Sequence, residues 1–338
     1  MKAGRATRAN EVHFASTPDG WRLALHRHRP AEIRARGAVL LCAGYGCNRH
    51  FLDYDEHYSL AGYLCRRGFD VWVVELRGRG FSHPTRACRR PGAWTFDDLA
   101  CTDVPALVTY VARTTGHHVA WVGHSMGGLA LYACLGCVPA AAGLVAAGVT
   151  IGSPVVFPAA SASLFARLGQ LLLRIPVGDT VPQRFVLGAL WQLVSSTAAL
   201  SVGMNPANID RREVGRALRR SLSDVSRLKL QQLAAWALEG AFASADGAVD
   251  YRAALAHVRA PVLVMAGSAD RLATPAAVGC ALEYLPPGLA AYREFGRASG
   301  DSAEYGHVDL VLGRAAPREV FPAVAQWLDD RLGPGRDL

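Results

Sequence analysis

Short, uniformly apolar runs alternate along this chain with longer stretches whose apolar residues recur at helical spacing. The runs are AVLLCAG (38–44), FDVWVVELRG (69–78), HVAWVGH (118–124), GLVAAGV (143–149) and PVLVMAG (261–267), with a strand-like AAYREFG (290–296) near the end. Strands buried on both faces read as continuous apolar runs, so the pattern predicts a mostly parallel sheet joined by right-handed crossovers. The opening EVHFASTPDGWRLALHRHRP (11–30) predicts a hairpin turning at Pro18-Asp19-Gly20. In open parallel sheets, reactive groups collect beyond the carboxyl ends of the strands.

From Pro154 to about Ala260 the rhythm changes to helix. SLFARLGQLLLRI (163–175) and QRFVLGALWQLV (183–194) carry broad apolar faces, and Val214, Leu218, Leu222 and Val225 mark one stripe of a helix that is otherwise arginine-rich. The expected division is a first part of an α/β core over 1–154, an inserted helical cap over 155–259 and a second part of the core over 260–338. A last helix is expected in APREVFPAVAQWLDDRL (316–332).

Composition narrows the picture. The 338 residues are 51% hydrophobic and 19% charged, suited to a large packed core, with no repeat and no low-complexity tract. Residues 114–166 contain no Asp, Glu, Lys or Arg, and AAAGLVAAGVTIGSPVVF (140–157) reaches the length of a minimal spanning helix. Gly143, Gly148, Gly152 and Pro154 interrupt it, and buried parallel strands explain the same lack of charge. The net charge of +8 is almost wholly arginine, and seven Arg or Lys against three Asp or Glu fall within 209–229. That stretch reads as a solvated helix face that is compatible with peripheral contact at an anionic lipid surface. No nucleic-acid motif accompanies the charge. Eight cysteines are scattered, the one Cys134-x-x-Cys137 lacks a second pair, and small helix residues packed on a sheet account for it. MKAGRATRANEVHF, at the start of the sequence, has no apolar h-region, so the expected compartment is the cytoplasm. No metal cluster or nucleotide loop is recognisable, and no cofactor is expected.

The chemistry gathers at WVGHSMGGLA (121–130), where Gly123-His124-Ser125-Met126-Gly127 fits G-x-S-x-G at the end of an apolar run. A serine hydroxyl needs a histidine base, itself oriented by a carboxylate. Asp270 follows PVLVMAG by three residues and His307 stands in EYGHVDLVLG, giving the order Ser, acid, His. Asp270 as a turn residue before Thr274-Pro275 and His307 as a helix cap are the structural alternatives, with Asp309 or Asp301 then competing as the acid although neither follows a buried strand. An oxyanion needs fixed N–H donors, and the expected pair is Met126, next after the serine, and Tyr45 in AGYGCN.

Three stretches carry a resemblance: WTFDDLACTDVPALVTYVARTTGHHVAWVGHSMGG, PVLVMAGSADRLATPAAV and YGHVDLVLGRAAPREVFPAVAQWL. They resemble the α/β-hydrolase superfamily, and within it the acid and gastric lipase group and the polyhydroxyalkanoate synthases. The resemblance implies an α/β-hydrolase fold, with Ser125 as nucleophile, Asp270 as acid and His307 as base. Two departures stand out. Many members carry His-Gly where this chain has Ala43-Gly44, and the synthases use cysteine where Ser125 stands.

The expected function is hydrolysis of a carboxylic ester, lipid-like in its acyl group, through an acyl-enzyme on Ser125. An acyltransferase or thioesterase would use the same residues, and a non-catalytic binder on the same fold is a further alternative. The expected partner is a small-molecule acyl ester, with neither nucleic acid nor stable membrane insertion. Chain length of the acyl group, leaving group and oligomeric state are not encoded in these patterns.

Overall fold

The computed structural model describes residues 9–30, 37–157, 178–184 and 200–332. The hairpin forms as β1 (Glu11–Ser16) and β2 (Trp21–His28). Thr17 N–H donates to Trp21 O at 2.9 Å across the turn. The apolar runs follow as β3 (Ala38–Cys42), β4 (Asp70–Val74), a short β5 (His83–Pro84), β6 (Val119–His124) and β7 (Val145–Ile151). A two-stranded ribbon of β8 (Thr180–Val181) and β9 (Val225–Ser226) precedes β10 (Val262–Gly267) and β11 (Ala290–Phe295). The main sheet runs β1-β2-β4-β3-β6-β7-β10-β11, with β5 beside β2. Pairing is antiparallel at the β1-β2-β4 end and parallel from β4 to β11.

Period-two geometry splits the sheet residues between two cores. Leu40, Trp72, Trp121 and Val264 face helices α2 (Val104–Thr115) and α3 (Met126–Cys137). Val39, Val73, Val122 and Met265 face α1 (Leu60–Arg66) and a C-terminal helix over Ala316–Asp329. Each of these side chains contributes roughly 1.5–3 kcal/mol by leaving water, which accounts for the absence of polar positions in the central runs. Cys134 and Cys137 lie on α3, the first buried and the second half-buried, as small residues between helix and sheet. The 140–157 stretch divides into the end of a short helix, β7 and a loop; among the described residues no helix is long and apolar enough to cross a membrane.

Boundaries differ from the sequence pattern in three places. The apolar run at 143–149 becomes a strand two residues later, because Gly143 and Leu144 close the turn after Pro139–Ala142. The run at 69–78 leaves the sheet after Val74, where Glu75 turns its buried carboxylate onto the Arg49 and Phe81 N–H groups. The stripe from Val214 to Val225 is not one helix. Helix α4 (Arg211–Ser221), capped by Asp210 on the Arg212 and Glu213 N–H groups, stops at Ser221, and Val225 pairs with Val181 in the ribbon. The loop at 46–48 captures its end: Asn48 N–H donates to Ser221 O at 2.7 Å and Ser223 N–H to Gly46 O at 2.7 Å. Helix α5 (Arg227–Glu239) follows directly. The helices expected at 163–175 and 183–194 lie outside the described residues, apart from Gln183 and Arg184.

Candidate active site

Ser125 stands between β6 and α3 with φ 53° and ψ −119°, the single non-glycine residue with positive φ among the described residues. A side chain held in that region stores on the order of 1–3 kcal/mol of strain. The surrounding backbone holds it there. Ser125 N–H donates to Ile151 O at 2.7 Å, and its carbonyl accepts from the Ser153 hydroxyl at 2.8 Å and from the Gly128 and Leu129 N–H groups. Close approach explains the flanking glycine: a Cβ on Gly127 would lie 2.4 Å from Cys42 O.

Asp270 and His307 come together from separate loops. Asp270 Oδ1 accepts from the Leu272 and Ala273 N–H groups, each at 2.8 Å, and Oδ2 lies 2.7 Å from His307 Nδ1. The carboxylate therefore does both jobs considered for it, shaping its turn with one oxygen and orienting the imidazole with the other. Gly152 makes room for the pair, since a Cβ there would stand 3.1 Å from His307 Nδ1 and 3.6 Å from Asp270 Oδ2. With Nδ1 engaged by Asp270, Nε2 is the nitrogen left to face a substrate or hydroxyl.

One pocket joins these residues. Ser125, Met126, Tyr45 and His307 line it together with Leu129, Pro154, Phe157, Leu233, Ala237, Leu272 and Ala273. All five residues expected at the site are thus brought to one place: four line the pocket, and Asp270 holds the fourth from behind. Met126 opens α3, so its N–H has no acceptor within the helix. Tyr45 packs its ring against Val181, Val225 and Leu230, with Lys229 Nζ 5.1 Å from the ring centre. Burial pushes the Lys229 ammonium well below its usual range, reinforced by the nearby Arg79 charge.

Three supporting residues have roles that the sequence does not assign, and one of them, Asp309, figures there only as a competing acid. His124 Nε2–H donates to His307 O at 3.0 Å, and its ring packs between Phe51 and His307 with centroids 4.7 Å from each. Burial, aided by the His307 charge, holds this imidazole well below its ordinary value, so it is neutral. Asp309 accepts from Gly306 N–H, Asn205 N–H and Asn208 Nδ2, fastening the His307 loop to the segment before α4. Arg79, 2% exposed, reaches the carbonyls of Ala43 and Cys47 on either side of Tyr45, and Met126. His124 lies within the G-x-S-x-G motif and was visible only as its variable position; the other two reveal themselves through partners distant in sequence.

Residues 33–287 match the family described as serine aminopeptidase, S33. Human lysosomal acid lipase/cholesteryl ester hydrolase is 30% identical over 173 residues, 48% of this chain and 43% of that protein. Lipase 1 of Drosophila melanogaster is 32% identical over 127 residues, 35% of this chain and 28% of that protein. The match therefore spans less than half the length of either relative. A soluble variant of monoglyceride lipase from Saccharomyces cerevisiae superposes with a TM-score of 0.63 at 17% identity, covering 96% of each chain. A thermophilic esterase from Thermogutta terrifontis gives 0.63 at 19% identity, covering 95% of this chain and 98% of that one. At these identities the two structures attest the fold alone.

Proposed function

Because the chain belongs to the serine aminopeptidase S33 family of α/β-hydrolases, we propose that it is a serine hydrolase cleaving carboxylic esters with an apolar, lipid-like acyl group. The observation that carries this reading is the 2.7 Å contact between His307 Nδ1 and Asp270 Oδ2, with His307 and Ser125 on the wall of one apolar pocket. Ser125 Oγ attacks the ester carbonyl while His307 Nε2 takes its proton, and Asp270 stabilises the imidazolium. The tetrahedral oxyanion rests on the Met126 and Tyr45 N–H groups. Its collapse expels the alcohol, which takes the proton from His307, and leaves the acyl group on Ser125. Water then attacks the acyl-enzyme, giving its proton to His307, and the acid leaves as Ser125 regains its hydrogen.

An ester suits the pocket better than a peptide amino terminus. An aminopeptidase must hold a protonated amine, for which a carboxylate is the natural partner. The pocket lining given above has none, and neither do residues 158–177 or 185–199. Leu129, Phe157, Leu233 and Leu272 instead offer contacts for hydrocarbon. The lipase names of two relatives agree with this choice. We take 155–259 as a cap inserted into the core of 1–154 and 260–338, contributing Phe157, Leu233 and Ala237 to the acyl pocket. The eight unpaired thiols fit the reducing cytoplasm.

A fluorophosphonate probe, with the adduct located by mass spectrometry, tests the mechanism without knowledge of the substrate. Labelling is expected on Ser125, absent in Ser125→Ala and strongly slowed in His307→Ala. Labelling elsewhere, or equal labelling of folded Ser125→Ala, overturns the reading. Ester, thioester and alcohol-acceptor panels then separate hydrolysis from acyl transfer.

A further inference from the structure

Arg79 leaves β4's loop and passes into the interior, where its side chain touches both parts of the expected oxyanion site. Its Nη1 donates to Ala43 O at 3.0 Å and to Cys47 O at 3.2 Å, the carbonyls on either side of Gly44-Tyr45-Gly46. Its Nη2 reaches Met126 Sδ at 3.6 Å. Among the described residues no carboxylate pairs with it. The buried acids nearby are committed elsewhere: Asp103 to Arg77 through bonds of 2.9 and 2.7 Å, and Glu75 to His26 and to the Arg49 and Phe81 N–H groups. A buried guanidinium stays protonated and is costly to leave without a counter-ion. Simple tethering of two carbonyls would be met by a neutral amide at lower cost, so the charge itself calls for an explanation.

Resting on the ester-hydrolysis reading, we propose that Arg79 is a positioning residue for the oxyanion: it clamps the loop carrying Tyr45, packs on Met126, and sets a fixed positive charge beside the position where negative charge develops. In the ground state the charge faces two backbone carbonyls, the Met126 thioether and the neutral thiols of Cys42 and Cys47. When Ser125 attacks, an anion forms between the two donors that this side chain holds, and the interaction strengthens at that moment. Preorganised charge of this kind acts on the transition state more than on substrate binding. Lys229 of α5, a second buried cation beside the Tyr45 ring, is held well below its usual range by burial and by the Arg79 charge.

The test compares the parent protein with Arg79→Lys, Arg79→Met and Ser125→Ala. Three quantities are read: the rate of Ser125 phosphonylation by a fluorophosphonate, kcat and KM on p-nitrophenyl butyrate, and binding of an alkyl trifluoromethyl ketone against the matching alcohol. The ketone forms an oxyanion with the serine, whereas the alcohol does not. Arg79→Met is expected to lower kcat and the labelling rate roughly 10- to 100-fold, with KM within about 3-fold. Ketone affinity should fall by the same factor while alcohol affinity stays level, and Arg79→Lys should recover part of the loss. Parent-like kcat and ketone affinity in Arg79→Met, or a loss confined to KM, overturns the proposal. If Arg79→Met does not fold, Arg79→Gln, a neutral amide able to tether the same carbonyls, decides: a parallel loss in kcat and ketone affinity supports the proposal, and parent values overturn it. Activity and labelling retained in Ser125→Ala would bring down the hydrolase reading and this inference together. A silent Ser125→Ala beside parent-like Arg79 variants would remove this inference alone.

Discussion

The two halves of the site are held by different physics. Around Ser125 the chain is fixed by close packing: glycines admit β3 and α3 to within van der Waals distance, and the ordering bonds run mostly between backbone groups. Around Asp270, His307 and the 43–48 loop, side-chain hydrogen bonds and buried charge do that work, through Asp270, His124, Asp309 and Arg79. A packed turn resists change until it breaks, whereas a polar tether is adjustable by one proton or one atom. The first region should therefore answer substitution in stability, and the second in rate and pH response.

The sharpest probe of that contrast is Asp270→Asn. The asparagine oxygen can still accept from the Leu272 and Ala273 N–H groups, so the fold should persist, but its amide then faces His307 Nδ1 and enforces the wrong tautomer. A loss in kcat of about 10^4-fold is expected, with the unfolding midpoint near that of the parent. A large fall in stability with little change in rate would erase the distinction. Next comes Gly127→Ala, which places a methyl 2.4 Å from Cys42 O. Urea unfolding should show a loss of about 3 kcal/mol, on the scale of overpacking in a closed core. A cost below about 1 kcal/mol would mean that the serine turn yields more readily than its packing indicates.

The smallest effect concerns pH. Burial pushes the Asp309 carboxyl up from its ordinary 3.8 to about 6, against the pull of its three hydrogen-bond donors. The folded protein holds this proton more tightly than the unfolded chain does. Stability from this group is therefore complete below about pH 3.8 and is lost as pH rises through about 6. Asp309→Asn carries no such proton, so its stability relative to the parent should improve by about 2 kcal/mol between pH 4.5 and 7. A flat difference would show that the three donors keep the charged form without penalty.

Which parts were legible in the sequence follows the same division. Packed strands announce themselves because burial on both faces leaves an unbroken apolar run, and the glycines around Ser125 are readable because their spacing is local even where, as at Gly127, the atom they make room for is the distant Cys42 O. Asp270 and His307 were readable from their places after a strand, and the structure brings them to 2.7 Å. Arg79 and Asp309 were not, because their meaning lies in partners far along the chain, such as Ala43 O and Asn208. Helix spacing misled at Val225 for a related reason. The stripe was regular, but bonds from Asn48 and Ser223 to neighbouring backbone ended α4 at Ser221. Local periodicity has no access to such competition from elsewhere in the molecule.

His124 ties β6 to the carbonyl of His307, and that bond spans 183 positions, more than half of the 338-residue polypeptide. On a ribosome, β6 and its neighbours β3 and β7 are all synthesised well before His307 emerges. Domains assemble from their amino-terminal parts as translation proceeds. The serine turn thus takes shape while His307 is still to be translated. On the mechanism proposed above, the growing chain passes through an interval in which it has a hydroxyl in position and no base to activate it, and synthesis of the His307 loop releases the safety catch.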